Sequence, residues 1–361
     1  SAGGPPASVQ RRNTMDVTID TPKAVREGEG FDLNKLEAYL KLAIPNLEGA
    51  LDVAQFPSGF SNLTYLLSVG DRELVLRRPP FGSKVKSAHD MGREYKVLSG
   101  LHPIYPAAPK PLALCDDMDV MERIRGAILR GEKPDGFDAS EATVGGCCAA
   151  FVKNLADLHS LDYHAAGLGD LQREGSYVER QVMGWIKRYG ASQTDDVPAI
   201  DQVMTWLQEN YPADSGATLV HNDYKFDNVV LDAHDPTKII GVLDWEMCTI
   251  GDPLMDLGTT LAYWIQKDDP PLGVVQCFLS EEPGMFTRRE VAAHYGDYTG
   301  RDISNLQFYY VFALFKLAVI VQQIYYRYKQ GLTKDERFAP LIYVVGALGH
   351  RAVACLESDT M

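Results

Sequence analysis

The sequence predicts an α+β fold with two lobes, a small antiparallel sheet followed by a larger, mainly helical lobe. The chain has 361 residues, of which 45% are hydrophobic, and this is enough for a sizeable core divided between two lobes. Short apolar segments bounded by turn residues occupy the N-terminal part. Apolar residues at three- and four-residue spacing, typical of helices, dominate the remainder.

The chain is acidic, with a net charge of −14 and a sequence pI near 5.0. A nucleic acid or an anionic membrane requires a basic surface, so this composition argues against both partners. The six cysteines show no CxxC spacing, which predicts neither a zinc site nor a disulfide framework and favours the reducing cytoplasm. The longest apolar run, residues 308–320, contains Lys316 and is shorter than the roughly 20 residues of a membrane span. We expect it to be a buried core helix.

The N-terminal part is predicted to be a flexible leader, residues 1–30, followed by a helix that Asp32 caps. Three strands come next, at residues 51–56, 63–69 and 73–77. The short connections between them predict an antiparallel meander.

The segment between the first two strands is a candidate phosphate-binding loop. It contains Ser58, Gly59 and Ser61, and a turn built on Gly59 can direct backbone N–H groups toward phosphate oxygens. A single glycine is a weak signal, so a plain hairpin is the alternative.

The third strand carries a candidate phosphate ligand. Arg77 lies two residues from Val75 and therefore shares its strand face. A helix predicted at residues 88–98 carries Glu94, which is placed to pair with Arg77. The alternative is that Arg77 is a solvated charge at the end of a strand.

A break in the strand pattern near Gly126 marks the lobe boundary. It divides the chain into an N-lobe at residues 31–122 and a C-lobe at residues 123–361. His159 ends the first helix of the C-lobe, and we expect it to cap that helix or to pack in the core rather than to be catalytic. The C-lobe helices are predicted at residues 149–160, 177–189, 199–211, 254–265, 288–298, 303–329 and 341–356.

The stretch at residues 219–246 reads as a strand, a polar loop, and a hairpin that ends at Asp244. Asp223 and Asn228 lie on the loop, so the three oxygen-bearing side chains of Asp223, Asn228 and Asp244 can converge. Two carboxylates at about 5 Å repel by roughly 3 kcal/mol at an effective dielectric constant of about 20, and a bound cation removes that penalty. Oxygen ligands without a His or Cys cluster favour a hard ion, Mg²⁺ carried in with a nucleotide.

The same loop supplies groups suited to phosphoryl transfer. Asp223 can orient an attacking hydroxyl and accept its proton, while Lys225 is placed to meet the transferred phosphoryl group. The alternative for an isolated Asp or Asn is an Asx turn, but His, Asp, Lys and Asn at this spacing make it improbable.

These motifs resemble those of a known family. HNDYKFDN, which begins at His221, resembles the HRD-type catalytic loop of the protein-kinase-like fold. VLDWE resembles the strand-end metal aspartate of its aminoglycoside phosphotransferase/choline kinase branch, and GFSNLTY, VLRRPP, REYKVL, VMERIRG, LADLHSLD and GDPLMDLG follow that branch in order. The likeness covers residue 31 to the C-terminus and extends to the kinase-like domains fused to acyl-CoA dehydrogenases in animals.

The resemblance implies a role for each matching position. Asp223 would be the catalytic base, Asn228 and Asp244 the Mg²⁺ ligands, and Glu94 the partner of the cation on the third strand. Asp256 would brace the catalytic loop, together with His221, the first residue of the loop motif. The adenine hinge would comprise Met121, Glu122, Arg123 and Ile124.

Two positions depart from the family pattern. Arg77 stands where a lysine is usual, and its planar head fits a lysine's place imperfectly. Lys225 stands where antibiotic-modifying members often have histidine, which argues against aminoglycosides as acceptors.

The sequence therefore predicts a phosphotransferase that moves the γ-phosphoryl of ATP, with GTP as the alternative donor, to the hydroxyl of a small molecule. The helices at residues 177–211 and the C-terminal helices are expected to form the acceptor site, and the family likeness suggests a hydroxyacyl-CoA thioester. One alternative is an aminoglycoside or amino-alcohol kinase that uses acidic clusters such as Asp268–Asp269 and Glu281–Glu282. Another is a pseudokinase that acts as an interaction module, which Arg77 favours. The oligomeric state stays open.

Overall fold

Residues 17, 19–57, 62–79, 91–115, 118–269 and 277–358 are described by the structure, a computed structural model. Ser58, Gly59 and Ser61 of the predicted phosphate-binding loop lie outside the described residues.

The N-lobe is built on a five-stranded antiparallel sheet in the order β1-β2-β3-β5-β4. Alternation along β2 and β3 directs Tyr65 and Leu76 to one face, where helix α1 packs. Val75 and Met121 point to the opposite face, toward helix α2 and the C-lobe core. The N-lobe elements are α1 Leu33–Ala43, β1 Leu51–Gln55, β2 Leu63–Val69, β3 Arg72–Arg78, α2 Met91–Leu101, β4 Pro111–Cys115 and β5 Met118–Glu122.

The C-lobe is mainly helical and contains two short strand pairs, β6 with β9 and β7 with β8. Its strands are β6 Thr218–Val220, β7 Val229–Leu231, β8 Ile239–Val242 and β9 Thr249–Gly251. Its helices are α3 Glu141–Leu158, α4 Tyr177–Ser192, α5 Pro198–Asn210, α6 Pro253–Tyr263, α7 Arg288–Thr299, α8 Leu306–Lys329 and α9 Leu341–Ser358.

Helix α8 forms the centre of the C-lobe, as the apolar run at residues 308–320 predicts. It packs against α4, α5, α6 and α9, and its buried side chains lie on all sides. By length and composition alone, Leu306–Lys329 and Glu336–Ser358 are long and apolar enough to cross a membrane. The most apolar window of the first is 83% buried inside the protein, whereas that of the second is 28% buried.

The sequence places residues 1–30 in a leader outside the fold, yet residues 19–30 contact both lobes. Gln55 of β1 exchanges backbone hydrogen bonds with Lys23, and its side chain binds Arg26 N and Glu29. The polar composition of this segment hides these contacts, because backbone pairing with a sheet edge requires no apolar pattern.

The architecture is the α+β, two-lobed fold that the sequence predicts. The C-lobe strands present the polar loops, and α6 and α8 pack beneath them. The catalytic machinery implied by the sequence therefore lies on a rigid helical base.

Candidate active site

The loop between β6 and β7, residues 221–228, is the catalytic loop of the prediction. Lys225 Nζ lies 3.1 and 2.9 Å from the two carboxylate oxygens of Asp223. Asn228 Nδ2 donates to Asp223 Oδ2 and to the Asp223 carbonyl oxygen, each at 2.9 Å. The Asp223 carboxylate is therefore held between a cation and an amide, while its side chain remains 21% exposed.

A buried carboxylate on α6 fixes the start of this loop. Asp256 Oδ2 accepts from His221 N at 2.6 Å, and its Oδ1 accepts from Asn222 N at 2.7 Å. The Nε2 atom of His159 lies 3.1 Å from Asp256 Oδ2, and Tyr295 contacts the other ring nitrogen at 2.8 Å. Asp256 thus has the contacts of the predicted brace, and His159 caps α3 within the same network.

His221 joins the catalytic loop to the segment that carries Asp244. Its Nε2 lies 2.9 Å from the Leu243 carbonyl oxygen, and Asp223 N donates to its Nδ1 at 3.3 Å. Complete burial lowers the pKa of His221, which favours the neutral ring. The neutral ring with a proton on Nε2 satisfies both contacts, and this is a positioning arrangement.

Asp244 lies two residues after the end of β8, in the left-handed backbone region with φ 67°. Leu243 N donates to the Asn228 carbonyl oxygen at 2.8 Å, so the backbone couples the two predicted metal ligands. Arg77 Nη2 donates to Asp244 Oδ1 at 2.6 Å, and Arg77 Nη1 donates to Glu94. Burial opposes ionisation of Asp244, but Arg77 outweighs it and lowers the pKa of Asp244.

Arg77 therefore lies at the junction of the two lobes rather than in solvent. Its side chain is 10% exposed, and that of Glu94 is 1% exposed. Burial raises the pKa of Glu94 even though Arg77 lies beside it. Trp245 N also donates to Glu94 Oε1 at 3.0 Å, which ties α2 to the Asp244 segment.

A cavity of about 330 Å³ separates the two lobes. Arg77, Asp223, Lys225, Asn228 and Asp244 line one part of it. The predicted hinge residues, Met121, Glu122, Arg123 and Ile124, line another part together with Phe56 and Val75. The structure thus brings the predicted catalytic, metal and hinge residues to one cleft.

Several contacts beside this cleft were not predicted from the sequence. Asn62 Nδ2 donates to Glu246 Oε2 at 2.8 Å, which joins the segment after the predicted phosphate loop to the segment after Asp244. Burial raises the pKa of Glu246 to about 7. Asp119 faces Arg77 across β5 and β3, and neither of its carboxylate oxygens has a hydrogen-bond partner among the described residues. The one signal for Asp119 was an acidic residue within an apolar strand.

The residues present fit a magnesium ion that arrives with a nucleotide. Asn228 Nδ2 is engaged by Asp223, which leaves its Oδ1 available beside Asp244, and both are hard oxygen donors. Within the described residues no cluster of three or more His, Cys, Asp or Glu side chains is arranged to hold a metal. Mg²⁺ that is bound with a nucleotide needs only one or two protein ligands, because phosphates and water complete its coordination.

The fold and the site are those of a phosphotransferase. The model of the phosphotransferase enzyme family matches residues 52–294, and the chain belongs to this family. It is 36% identical over 336 residues to acyl-CoA dehydrogenase family member 11 of Rattus norvegicus, covering 89% of this chain and 43% of that protein. It is 32% identical over 327 residues to acyl-CoA dehydrogenase family member 10 of Mus musculus, covering 88% of this chain and 30% of that protein. The chain thus spans less than half the length of these relatives, and the predicted family is confirmed.

Solved structures show the same fold. A candidate aminoglycoside phosphotransferase of Ralstonia eutropha JMP134 superposes with a TM-score of 0.75 at 28% identity, covering 90% of this chain and 99% of that chain. Choline kinase of Cryptosporidium parvum Iowa II superposes with a TM-score of 0.62 at 13% identity, covering 91% of this chain and 97% of that chain. A thermostable mutant of aminoglycoside phosphotransferase APH(4)-Ia, in a ternary complex with ADP and hygromycin B, superposes with a TM-score of 0.56 at 15% identity. The match covers 90% of this chain and 98% of that chain. The predicted protein-kinase-like fold is confirmed.

Proposed function

We propose that the chain transfers the γ-phosphoryl group of ATP to a hydroxyl group of a small molecule. One observation carries this proposal: Asp223, Asn228, Asp244 and Arg77 meet at one part of a 330 Å³ cleft whose other part is lined by the predicted adenine hinge. Phosphoryl transfer needs such positioning and charge compensation more than covalent chemistry by the protein.

Asp223 is the proposed base. The acceptor hydroxyl would lie against its carboxylate, and the hydroxyl oxygen would form a bond to the γ-phosphorus as the bond from that phosphorus to the bridging oxygen breaks. The electron pair of the broken bond stays on the β-phosphate of ADP, and the acceptor proton passes to Asp223. Lys225, whose Nζ contacts both Asp223 carboxylate oxygens, would compensate the negative charge of the phosphoryl group during its transfer.

Asn228 Oδ1 and the Asp244 carboxylate would hold Mg²⁺, which neutralises the charge on the β- and γ-phosphate oxygens when bound. Arg77 is anchored by Glu94 and supplies a second, fixed cation at the phosphates. A guanidinium can bind two phosphate oxygens at once, so this arrangement retains the electrostatic function of the usual lysine.

The acceptor side of the catalytic loop carries a buried cation. Lys316 of α8 is 7% exposed, and its Nζ donates to the Asn222 carbonyl oxygen at 3.1 Å, one residue before Asp223. Among the described residues it pairs with no carboxylate, and its ammonium group lies 5.8 Å from the centre of the Trp185 ring. Burial lowers the pKa of Lys316, against the opposing effect of the nearby Asp223 and Asp256 carboxylates. Because no carboxylate among the described residues is in direct contact with it, its ammonium group favours an acceptor with a carbonyl or carboxylate oxygen near its hydroxyl.

One carboxylate of the acidic clusters that would serve a cationic acceptor, that of Asp269, is already paired with arginines. Arg288 Nη1 donates to Asp269 Oδ1 at 3.1 Å, and Arg351 Nη2 lies 2.6 Å from the same oxygen. Asp269 therefore has two cations of its own. This supports a hydroxyacyl thioester over an aminoglycoside or amino alcohol, although the names of the structural neighbours keep these as the second candidate.

The test is a transfer assay with Mg·ATP and three acceptors: a 4-hydroxyacyl-CoA, kanamycin and choline. We expect phosphorylation of the thioester, and Lys316→Met is expected to raise its KM about tenfold or more while the KM for ATP stays within twofold. Lys187→Met, which removes an exposed lysine of α4, is the matched control and should change neither value.

Two results would refute parts of this proposal. Phosphorylation of kanamycin or choline alone would overturn the thioester assignment. No thermal stabilisation by millimolar Mg·ATP would argue against a working kinase and favour the pseudokinase alternative.

A further inference from the structure

The N-terminal strap, which we define as residues 19–23, lies outside the region that the family model matches. It is fixed to both lobes at its ends. Val17 N, just before the strap, donates to the Ala233 carbonyl oxygen of the C-lobe at 2.9 Å. Lys23 and Gln55 of β1 exchange two backbone hydrogen bonds of 2.7 and 2.8 Å in the N-lobe. The strap therefore bridges the lobes beside the cleft.

Asp20 is the strap residue that lines the cleft. Its carbonyl oxygen accepts from Arg123 Nη2 at 2.7 Å. Its carboxylate accepts from Arg130 through two separate contacts, Nη1 to Oδ1 at 3.0 Å and Nη2 to Oδ2 at 3.3 Å. Arg130 lines the same cavity, and the Asp20 side chain remains 22% exposed. The carboxylate is thus held in a fixed orientation with one side open to the cleft.

The position of Asp20 along the cleft indicates which part of the nucleotide Asp20 would contact. The phosphates belong near Arg77, Asn228 and Asp244, and a carboxylate would repel them. Arg123, a predicted hinge residue, donates to the Asp20 carbonyl oxygen, which places Asp20 at the hinge end of the cleft, where the base is expected. Between the base and the phosphates lies the ribose.

The chemistry of the pair suits a vicinal diol. Each carboxylate oxygen has further lone pairs after accepting from Arg130, so Asp20 can accept one hydrogen bond from each of two hydroxyl groups. Arg130 compensates the carboxylate charge and prevents rotation, which reduces the entropy lost when a ligand binds.

We propose that Asp20 binds the 2′- and 3′-hydroxyl groups of the nucleotide ribose and that Arg130 is its positioning residue. This inference rests on the proposed nucleotide-dependent function. The strap would thereby add a sugar-binding group to a cleft whose other contacts are directed at the base and the phosphates.

The test compares binding of Mg·ATP and Mg·2′,3′-dideoxy-ATP to the wild-type protein and to Asp20→Asn and Asp20→Ala, by calorimetry or thermal shift. The wild type should bind the dideoxy nucleotide about 10- to 100-fold more weakly than ATP, because hydrogen bonds to a charged group are lost. In Asp20→Ala this ratio should fall to within about threefold. Each protein serves as its own reference, so a modest loss of stability does not affect the ratio.

Asp52→Asn removes an exposed carboxylate of β1 and is the matched control, for which the wild-type ratio is expected. An unchanged ratio in Asp20→Ala, or no discrimination by the wild type, would overturn the role of Asp20 while ATP binding still supports the proposed function. Absence of ATP binding to the wild type would refute both.

Discussion

The brace at Asp256 gives a quantitative prediction for Asp256→Asn. The substitution keeps the side-chain shape but turns one acceptor oxygen into an NH₂ group and removes the charge. The carboxylate accepts from His221 N, Asn222 N and the His159 ring, and the side chain is 0% exposed. A hydrogen bond to a buried charge contributes about 1.5–3 kcal/mol, so losing one of these three hydrogen bonds and weakening the other two should cost about 3–5 kcal/mol of unfolding free energy.

The same change should lower kcat, because Asn222 and Asp223 are adjacent and the brace sets the position of the base. A displacement of about 1 Å at a catalytic group costs roughly a hundredfold in rate. Urea unfolding gives the stability, and a phosphoryl-transfer assay at a temperature where both proteins are folded gives kcat.

Asp252→Asn is the matched control. Asp252, the N-cap residue of α6, is also fully buried and accepts hydrogen bonds, but its partners are Ser215 and Leu254, outside the catalytic loop. Both variants should lose stability, and only Asp256→Asn should lose turnover beyond about threefold. Equal kcat values in the two variants would show that Asp256 supports the fold without positioning the loop.

The pKa of Asp256 adds a pH dependence. Burial raises this pKa, but the hydrogen bond from His159 and the neighbouring imidazoles outweigh it and lower the pKa below its usual value of 3.8. A lowered pKa in the folded state contributes stability that is present above the unfolded pKa and lost as pH falls through the folded pKa. The difference in unfolding free energy between the wild type and Asp256→Asn should therefore be constant from about pH 5 to 8 and shrink below about pH 4.

Four further variants, at three positions, test the remaining assignments. Asp223→Asn should lower kcat at least about a hundredfold and retain thermal stabilisation by Mg·ATP, and near-normal turnover would show that the base is misassigned. Asp244→Asn should abolish the Mg²⁺ dependence of ATP binding in calorimetry, whereas an unchanged dependence would exclude it as a ligand. Arg77→Met should lower the unfolding free energy by about 3–5 kcal/mol, because Glu94 stays buried without its cation. Arg77→Lys should restore most of that stability in urea unfolding, and equal loss in both would refute the ion-pair argument.

The local parts of the site could be predicted because their spacing is short. His221, Asp223, Lys225 and Asn228 lie within eight residues, so one loop conformation brings them together whatever surrounds it. The helical periodicity of the C-lobe and the strand alternation of the N-lobe are equally local signals. Element ends were less certain, and α3 begins at Glu141, eight residues before the predicted start.

The contacts between distant elements could not be predicted, because packing alone decides which polar groups meet. Asn62 and Glu246 are 184 residues apart, and Lys316 and Asn222 are 94 residues apart. The sequence of an apolar helix does not show whether its lysine extends to solvent or to a catalytic loop, because the long side chain permits both.

The sequence by itself determined the class of protein and predicted the donor half of the proposed chemistry, because the family motifs are contiguous and their residues lie on a single loop and hairpin. Tertiary structure decided the rest. It placed the strap with Asp20 against the cleft, gave Asp269 its two arginine partners, and brought the Lys316 ammonium group to the Asn222 carbonyl oxygen, next to the proposed base. Charge compensation depends on distances in space, which the order of residues does not fix.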